Sequence, residues 1–296
     1  MSWLTEPWKY AFFRHAIAAG ALAGALCGLV GVYVVLRRMS YIGHGLSHAI
    51  FGGAVASYVL QINFYVGAGI WGLVSALLIN SVSRRRKIGA DAAIGIVTTA
   101  SFAVGVALIS HFHRFTVNFE AALFGNILGV SVSQLVVLLG AALFTAVVVF
   151  LQYRQLLFAT FDPEVADSYG VNVRRLDALF AVILAATVVS TMQVLGVTLI
   201  AAIIVIPAIV GRLVTDSFGR MLVVSTIAGG VCGFAGVYVS FNFDVASGAT
   251  IVLVAAALFV VVFTTTALIN RRKLSQLESG RGGAVELAGG PAVELG

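Results

Sequence analysis

At 296 residues the chain is 60% apolar and only 10% charged, with a net charge of +6 and a mean hydropathy of +1.04. An average soluble domain carries about 25% charged residues, so a soluble fold of this size would lack the polar surface to cover its core. The positive residues sit in short clusters between apolar runs: Arg37-Arg38, Arg84-Arg85-Arg86-Lys87, Arg174-Arg175 and Arg271-Arg272-Lys273. That pattern marks the cytoplasmic loops of a membrane protein and excludes a nucleic-acid-binding surface.

Taken in order, the runs able to cross a bilayer of about 30 Å are Ala16–Leu36, His44–Gln61, Tyr65–Val82, Ala92–Ile109, Val132–Leu151, Leu179–Met192, Val194–Val210, Met221–Ser240 and Ala249–Ile269. The first ends in Arg-Arg rather than at a small-residue cleavage site, so it reads as a span and not as a removable signal. Leu179–Met192 is short, and with its neighbour forms either two short spans or one broken helix. The expected fold is therefore an all-α, polytopic transmembrane bundle of about nine spans, or eight. Residues 1–14 form an N-terminal segment, 15–270 the membrane domain with an inner loop at about 152–177, and 271–296 a disordered tail rich in Gly and Ala.

Successive basic clusters are separated by two spans each, so all of them fall on one side. By the positive-inside rule that side is the cytoplasm, with the N-terminus outside and the C-terminus inside. The outer segments are poor in Lys and Arg; the longest, His111–Ser131, contains a stretch at Phe115–Val130 that reads as amphipathic or re-entrant. Cys27 and Cys232 lie alone in apolar runs without metal-site spacing and read as packing residues.

Three motifs could carry chemistry. His44 and His48 stand at i and i+4, on one helix face at the start of a span. Two neutral imidazoles so placed can bind a Zn²⁺-like ion, and ionisable side chains within a membrane are costly enough to point to a role. In the inner loop, Asp162 caps a short helix with Pro163 in its first turn and Glu164 beside it, and Gly170 ends it. Such an element is a natural docking surface for a cytoplasmic partner. Further on, Gly196 and Pro207 mark a bend in the membrane, because proline frees a backbone carbonyl. His111 and His113, by contrast, read as solvated loop histidines.

None of the three lysines, Lys9, Lys87 and Lys273, follows a glycine, so the chain has no P-loop of its own. None of the twelve acidic residues sits in mid-span, which argues against a gradient-driven secondary cation transporter.

The chain resembles the membrane permeases of zinc, manganese and iron ABC importers over nearly all of residues 12–270. The resemblance rests on an ordered series: Val34 to Gly43, Leu46-Ser47-His48-Ala49, Asp91 to Ile96, Leu123 to Leu128, Asp162-Pro163-Glu164 with Gly170, Val194 to Val197 through Ile206-Pro207-Ala208, and Ser247-Gly248 with Thr250-Ile251-Val252. It implies a type II ABC importer permease in the cytoplasmic membrane of a bacterium. The permease would act as a homodimer with a cytoplasmic ATPase that uses ATP and an extracytoplasmic metal-binding protein. The divalent metal would be substrate, with no permanent cofactor. The family's intramembrane site pairs an acidic residue with a histidine four residues on; here those positions are His44 and His48. Imidazole in place of a carboxylate shifts preference from Mn²⁺ toward Zn²⁺ or Fe²⁺. A metal chelate carried by the same architecture is the nearest alternative.

Overall fold

A backbone in lipid must satisfy its own hydrogen bonds, which leaves helices or closed barrels. The computed structural model describes residues 6–83, 89–112 and 125–288, with side chains as far as 271 apart from Ala90. The Arg84–Lys87 cluster, His113, Arg114, Leu123, Phe124, most of the outer segment 115–130 and residues 289–296 lie outside the described residues. Among the described residues every regular element is helical. These are α1 (Ala11–Leu36), α2 (Ile42–Val59), α3 (Phe64–Ser83), α4 (Ala90–Phe112), α5 (Val132–Leu151), α6 (Tyr153–Phe161), α7 (Pro163–Ser168), α8 (Val173–Leu195), α9 (Ile200–Val214), α10 (Phe218–Phe243) and α11 (Ser247–Ala288), with short 3-10 turns at Pro7–Lys9 and Ile127–Gly129.

Seven of these helices, rather than nine, are long and apolar enough to cross a membrane: α1, α3, α4, α5, α8, α10 and α11. The other two runs counted as spans fall short for different reasons. The 18 residues of α2 reach about 27 Å, but His44 and His48 dilute its hydropathy. The run Val194–Val210 is interrupted at Gly196, which adopts φ 84° as the C-cap of α8. Past that break lies α9, whose 15 residues span only about 22 Å. The run Leu179–Met192, short by sequence, is the middle of the 23-residue α8. That helix starts within the expected inner loop because the Asn172 side chain accepts from the Arg175 N–H and caps it at 3.0 Å. At the other end of the chain, α11 is helical through Ala288, beyond residue 271 where the tail was expected to begin.

The core is built on α1, which is buried over most of its length and runs antiparallel to α10. Gly20 meets Gly233, Gly24 meets Gly229 and Gly28 meets Ser225, and a methyl group at Gly24 would overlap the Gly229 carbonyl. In lipid, where association gains little from hydrophobicity, such close backbone approach lets dispersion hold helices together. Gly31 brings α9 against the same helix at Ile204. A second group forms around α2, with α3 antiparallel to it (Ser57 to Gly67, Gly53 to Trp71) and α4 parallel to it (Gly45 to Ile94 and Thr98, Gly52 to Ser101). By contrast α4, α5 and α11 keep most of their surface exposed, as helices facing lipid or a second subunit do.

One end of the bundle carries a partly buried ion pair. Arg37, just past α1, donates from Nη1 to Asp177 Oδ1 at 2.7 Å and from Nε to Thr160 Oγ1 at 3.3 Å. Its guanidinium lies 4.7 Å from the centre of the Phe180 ring. Phe218, at the start of α10, meets Tyr153 and Phe161 of α6. The opposite end carries an uncharged polar junction: Tyr65 Oη and Gln134 Nε2 both donate to Gln193 Oε1, at 2.9 Å and 2.7 Å. Here Gly125 (φ 80°) lies over the Val194–Gly196 backbone, and the Asn126 N–H donates to the Gln193 carbonyl at 3.3 Å. The inner part of the outer segment thus folds onto the end of α8.

Candidate functional site

The turn between α1 and α2 places His44 and His48 in the first two turns of α2, at the end of the bundle that carries Arg37. Their spacing puts both rings on one face, and the structure brings the ring centroids to 4.5 Å with an interplanar angle of 71°. The Ser47 hydroxyl is turned away from the pair, donating to the His44 carbonyl at 2.9 Å. Phe102 of α4 stands edge-on to His48, 5.7 Å between ring centres and 82° between planes. His48 is half-buried behind that ring and His44 is exposed.

Because α2 and α4 are parallel and joined at Gly45, their first turns face each other. Between them lies a cleft of about 330 Å³ lined by Tyr41, His44 and Gly45 from one side and by Asp91, Ile94, Gly95, Thr98 and Thr99 from the other. Two imidazoles on one face can each turn a nitrogen toward a shared ion. Among the described residues no three of His, Cys, Asp and Glu converge as a closed metal site. An open pair suits an ion that must leave again, whereas four protein ligands would retain it.

At the charged end, α7 has the form its sequence predicts. The Asp162 side chain accepts from the Val165 N–H at 3.0 Å, Pro163 opens the helix and Glu164 lies in its first turn. Gly170 closes it at φ 81°, a left-handed conformation that costs other residues about 1–2 kcal/mol, while the Val171 N–H reaches back to the Ala166 carbonyl at 3.0 Å. Only Ala166 is buried, and Val165, Tyr169 and Phe161 of the preceding helix are exposed. The expected bend resolves into two features. Gly196 is a true break between helices, whereas Pro207 lies inside a continuous, buried α9.

His111 lies in the last turn of α4, about 30 Å of helix rise from Asp91, and is far from the His44–His48 pair. Asp91, named in sequence only as the start of the series Asp91 to Ile96, lines the cleft with His44. The Arg37–Asp177 ion pair and the Gln193 junction were also missed; each joins residues more than a hundred positions or several helices apart, beyond any local pattern.

Comparison with known proteins places this architecture. The manganese transport system membrane protein MntC of Halalkalibacterium halodurans is 38% identical over 255 residues, 86% of this chain and 87% of that protein. The chelated iron transport system membrane protein YfeD of Yersinia pestis is 33% identical over 278 residues, 93% of each. Among solved structures, PsaBC from Streptococcus pneumoniae in complex with Fab superposes with a TM-score of 0.80 at 30% identity, covering 88% of this chain and 94% of that one. An inward-facing metal-chelate type ABC transporter shares the fold at 16% identity and a TM-score of 0.65. The family model for the ABC 3 transport family matches residues 9–266, and the chain belongs to that family.

Proposed function

We propose that this chain is the membrane-spanning permease of a bacterial ATP-driven importer, and that it moves a divalent transition-metal ion past His44 and His48. The observation that carries this reading is the edge-to-face imidazole pair, whose His44 lines a cleft between α2 and α4. Relatives named for manganese and iron transport support the class of substrate. Imidazole at position 44 favours Zn²⁺ or Fe²⁺ over Mn²⁺.

The chain works as a homodimer, with a separate cytoplasmic ATPase and an extracytoplasmic metal-binding protein. The absence of a Gly-Lys-Ser/Thr sequence supports hydrolysis by a partner. The exposed apolar faces of α4, α5 and α11 support a second copy as neighbour. The gathering of Arg37, Arg174, Arg175 and Arg220 toward one end supports that end as cytoplasmic, which leaves the N-terminus outside and the C-terminus inside. The exposed α7 at that end then receives the stroke of the ATPase through Asp162, Glu164 and Gly170. In the resulting alternating-access cycle the outer protein delivers the ion, the histidines hold it briefly, and closure of the ATPases opens the path inward, with the break at Gly196 and the proline-weakened turn at Pro207 as the places that give.

The test is isotope uptake of competing metals in cells. His48→Ala should abolish uptake while the complex still assembles, and His44→Asp should move preference toward Mn²⁺. Wild-type uptake by His48→Ala would assign the pair to packing.

A further inference from the structure

The cleft continues past the histidines to a group that the histidine reading does not use. On α4, Asp91, Gly95, Thr98 and Phe102 recur at helical spacing, and Asp91, Gly95 and Thr98 line the cleft that His44 lines from α2. Their order is directional. Phe102 closes the stripe against His48. Thr98 comes next, its Oγ1 buried without a hydrogen-bond partner. Beyond it Gly95 has open space where a side chain would stand. Asp91 ends the stripe, exposed, at the same end of the bundle as the start of α2.

We propose that Asp91, with His44 and Thr98, forms a second transient site for the transported divalent cation, at the inner mouth of the path. The proposal rests on the reading that the His44–His48 pair holds the ion. The volume decides what kind of site this is. Six waters occupy about 180 Å³ at roughly 30 Å³ each, so a cleft of about 330 Å³ admits an ion with most of its hydration shell. A carboxylate, a hydroxyl and water make a hard, oxygen-rich site that divalent ions enter and leave without full dehydration. The ion thus passes from a pair of nitrogen ligands, of which His48 is half-buried beside Phe102, to an exposed carboxylate, and its hydration is restored stepwise rather than at once. His44 touches both stations and hands the ion from one to the other.

The test places a soft ligand at the mouth. In the assembled complex, with Cys27 and Cys232 replaced by Ala, Asp91→Cys is labelled by an impermeant maleimide in inside-out vesicles. Cd²⁺ should slow that labelling on the order of tenfold, and the protection should vanish when His44→Ala is added. In parallel, Asp91→Asn should lower ⁵⁴Mn²⁺ and ⁶⁵Zn²⁺ uptake by about tenfold or more, the scale of losing one group that supports a metal ligand, with Asp91→Glu retaining most of it. No protection by Cd²⁺, or protection that persists without His44, overturns the inner site, as does wild-type uptake by Asp91→Asn. If His48→Ala imports at the wild-type rate while His44-dependent protection holds, the histidine-pair reading fails and the inner site stands.

Discussion

Along α1 and α10, Gly20, Gly24, Gly229 and Gly233 bring backbone onto backbone, whereas along α4 Gly95 faces open space in the cleft beside His44. The same residue type serves two ends. In the first region the missing side chain lets two helices approach until nothing else fits between them. In the second it leaves room that no protein atom fills, next to the groups able to hold an ion. The contrast divides the molecule into a scaffold, centred on the buried α1, and the proposed path, lined by the sparsely packed α4.

Substitution of the same residue in both regions gives the largest expected difference. Gly24→Leu would drive a side chain into the Gly229 carbonyl and should cost about 3 kcal/mol or more, enough to lose the folded protein from detergent extracts. A Cβ at Gly95 meets no neighbour, so Gly95→Leu should leave thermal stability within about 0.5 kcal/mol, yet obstruct uptake by filling the cleft. Melting of both variants by size-exclusion chromatography after heating, set beside isotope uptake, reads the two effects apart. If Gly95→Leu melts early, the cleft belongs to the scaffold.

The next effect concerns the joint between the end of α1 and α8. Arg37→Ala removes the 2.7 Å ion pair to Asp177, whose side chain is 19% exposed. Breaking a largely buried pair from one side costs about 3 kcal/mol. Arg37→Met with Asp177→Leu should recover much of that stability, since an apolar pair of similar volume replaces the ions without stranding a charge. Thermal melts of the single and double variants measure both; equal loss in all three would deny the pair a structural role.

The smallest effect should fall on α7. Asp162→Ala removes the cap to Val165 and should cost about 1 kcal/mol locally, with little change in the global melt because the helix is exposed and short. The expected signature is lower metal uptake per ATP hydrolysed, with copurification of the ATPase retained. An unchanged ratio would show that α7 does not carry the stroke.

What could be read in the sequence was local. Asp162, Pro163 and Gly170 are cap, first-turn and terminator signals within nine residues, and α7 forms as they specify. His44 and His48 share a face because four residues make about one turn. The span count was harder, because an apolar run says nothing of a glycine that reverses φ within it, and Gly196 divides one run into the end of α8 and the short α9. The cleft was harder still. Asp91 lines the same cleft as His44 only because α4 lies parallel to α2, with Gly45 and Gly52 packed on Ile94 and Ser101. Arg37 and Asp177 lie 140 positions apart, and neither carries any sign of the other.

The seam between α1 and α10 also sets a timetable for synthesis. Gly24 and Gly229, 229 − 24 = 205 residues apart, lie against each other. At about 5–20 residues per second, the ribosome needs roughly 10–40 s to deliver the second glycine after the first. For that interval α1 is already in the bilayer with its narrowest face uncovered, and lipid or an unrelated helix must occupy the groove that α10 later takes. The last third of the chain therefore completes the innermost helix of the first third, and a nascent chain released before α10 emerges is left with a scaffold open at its centre.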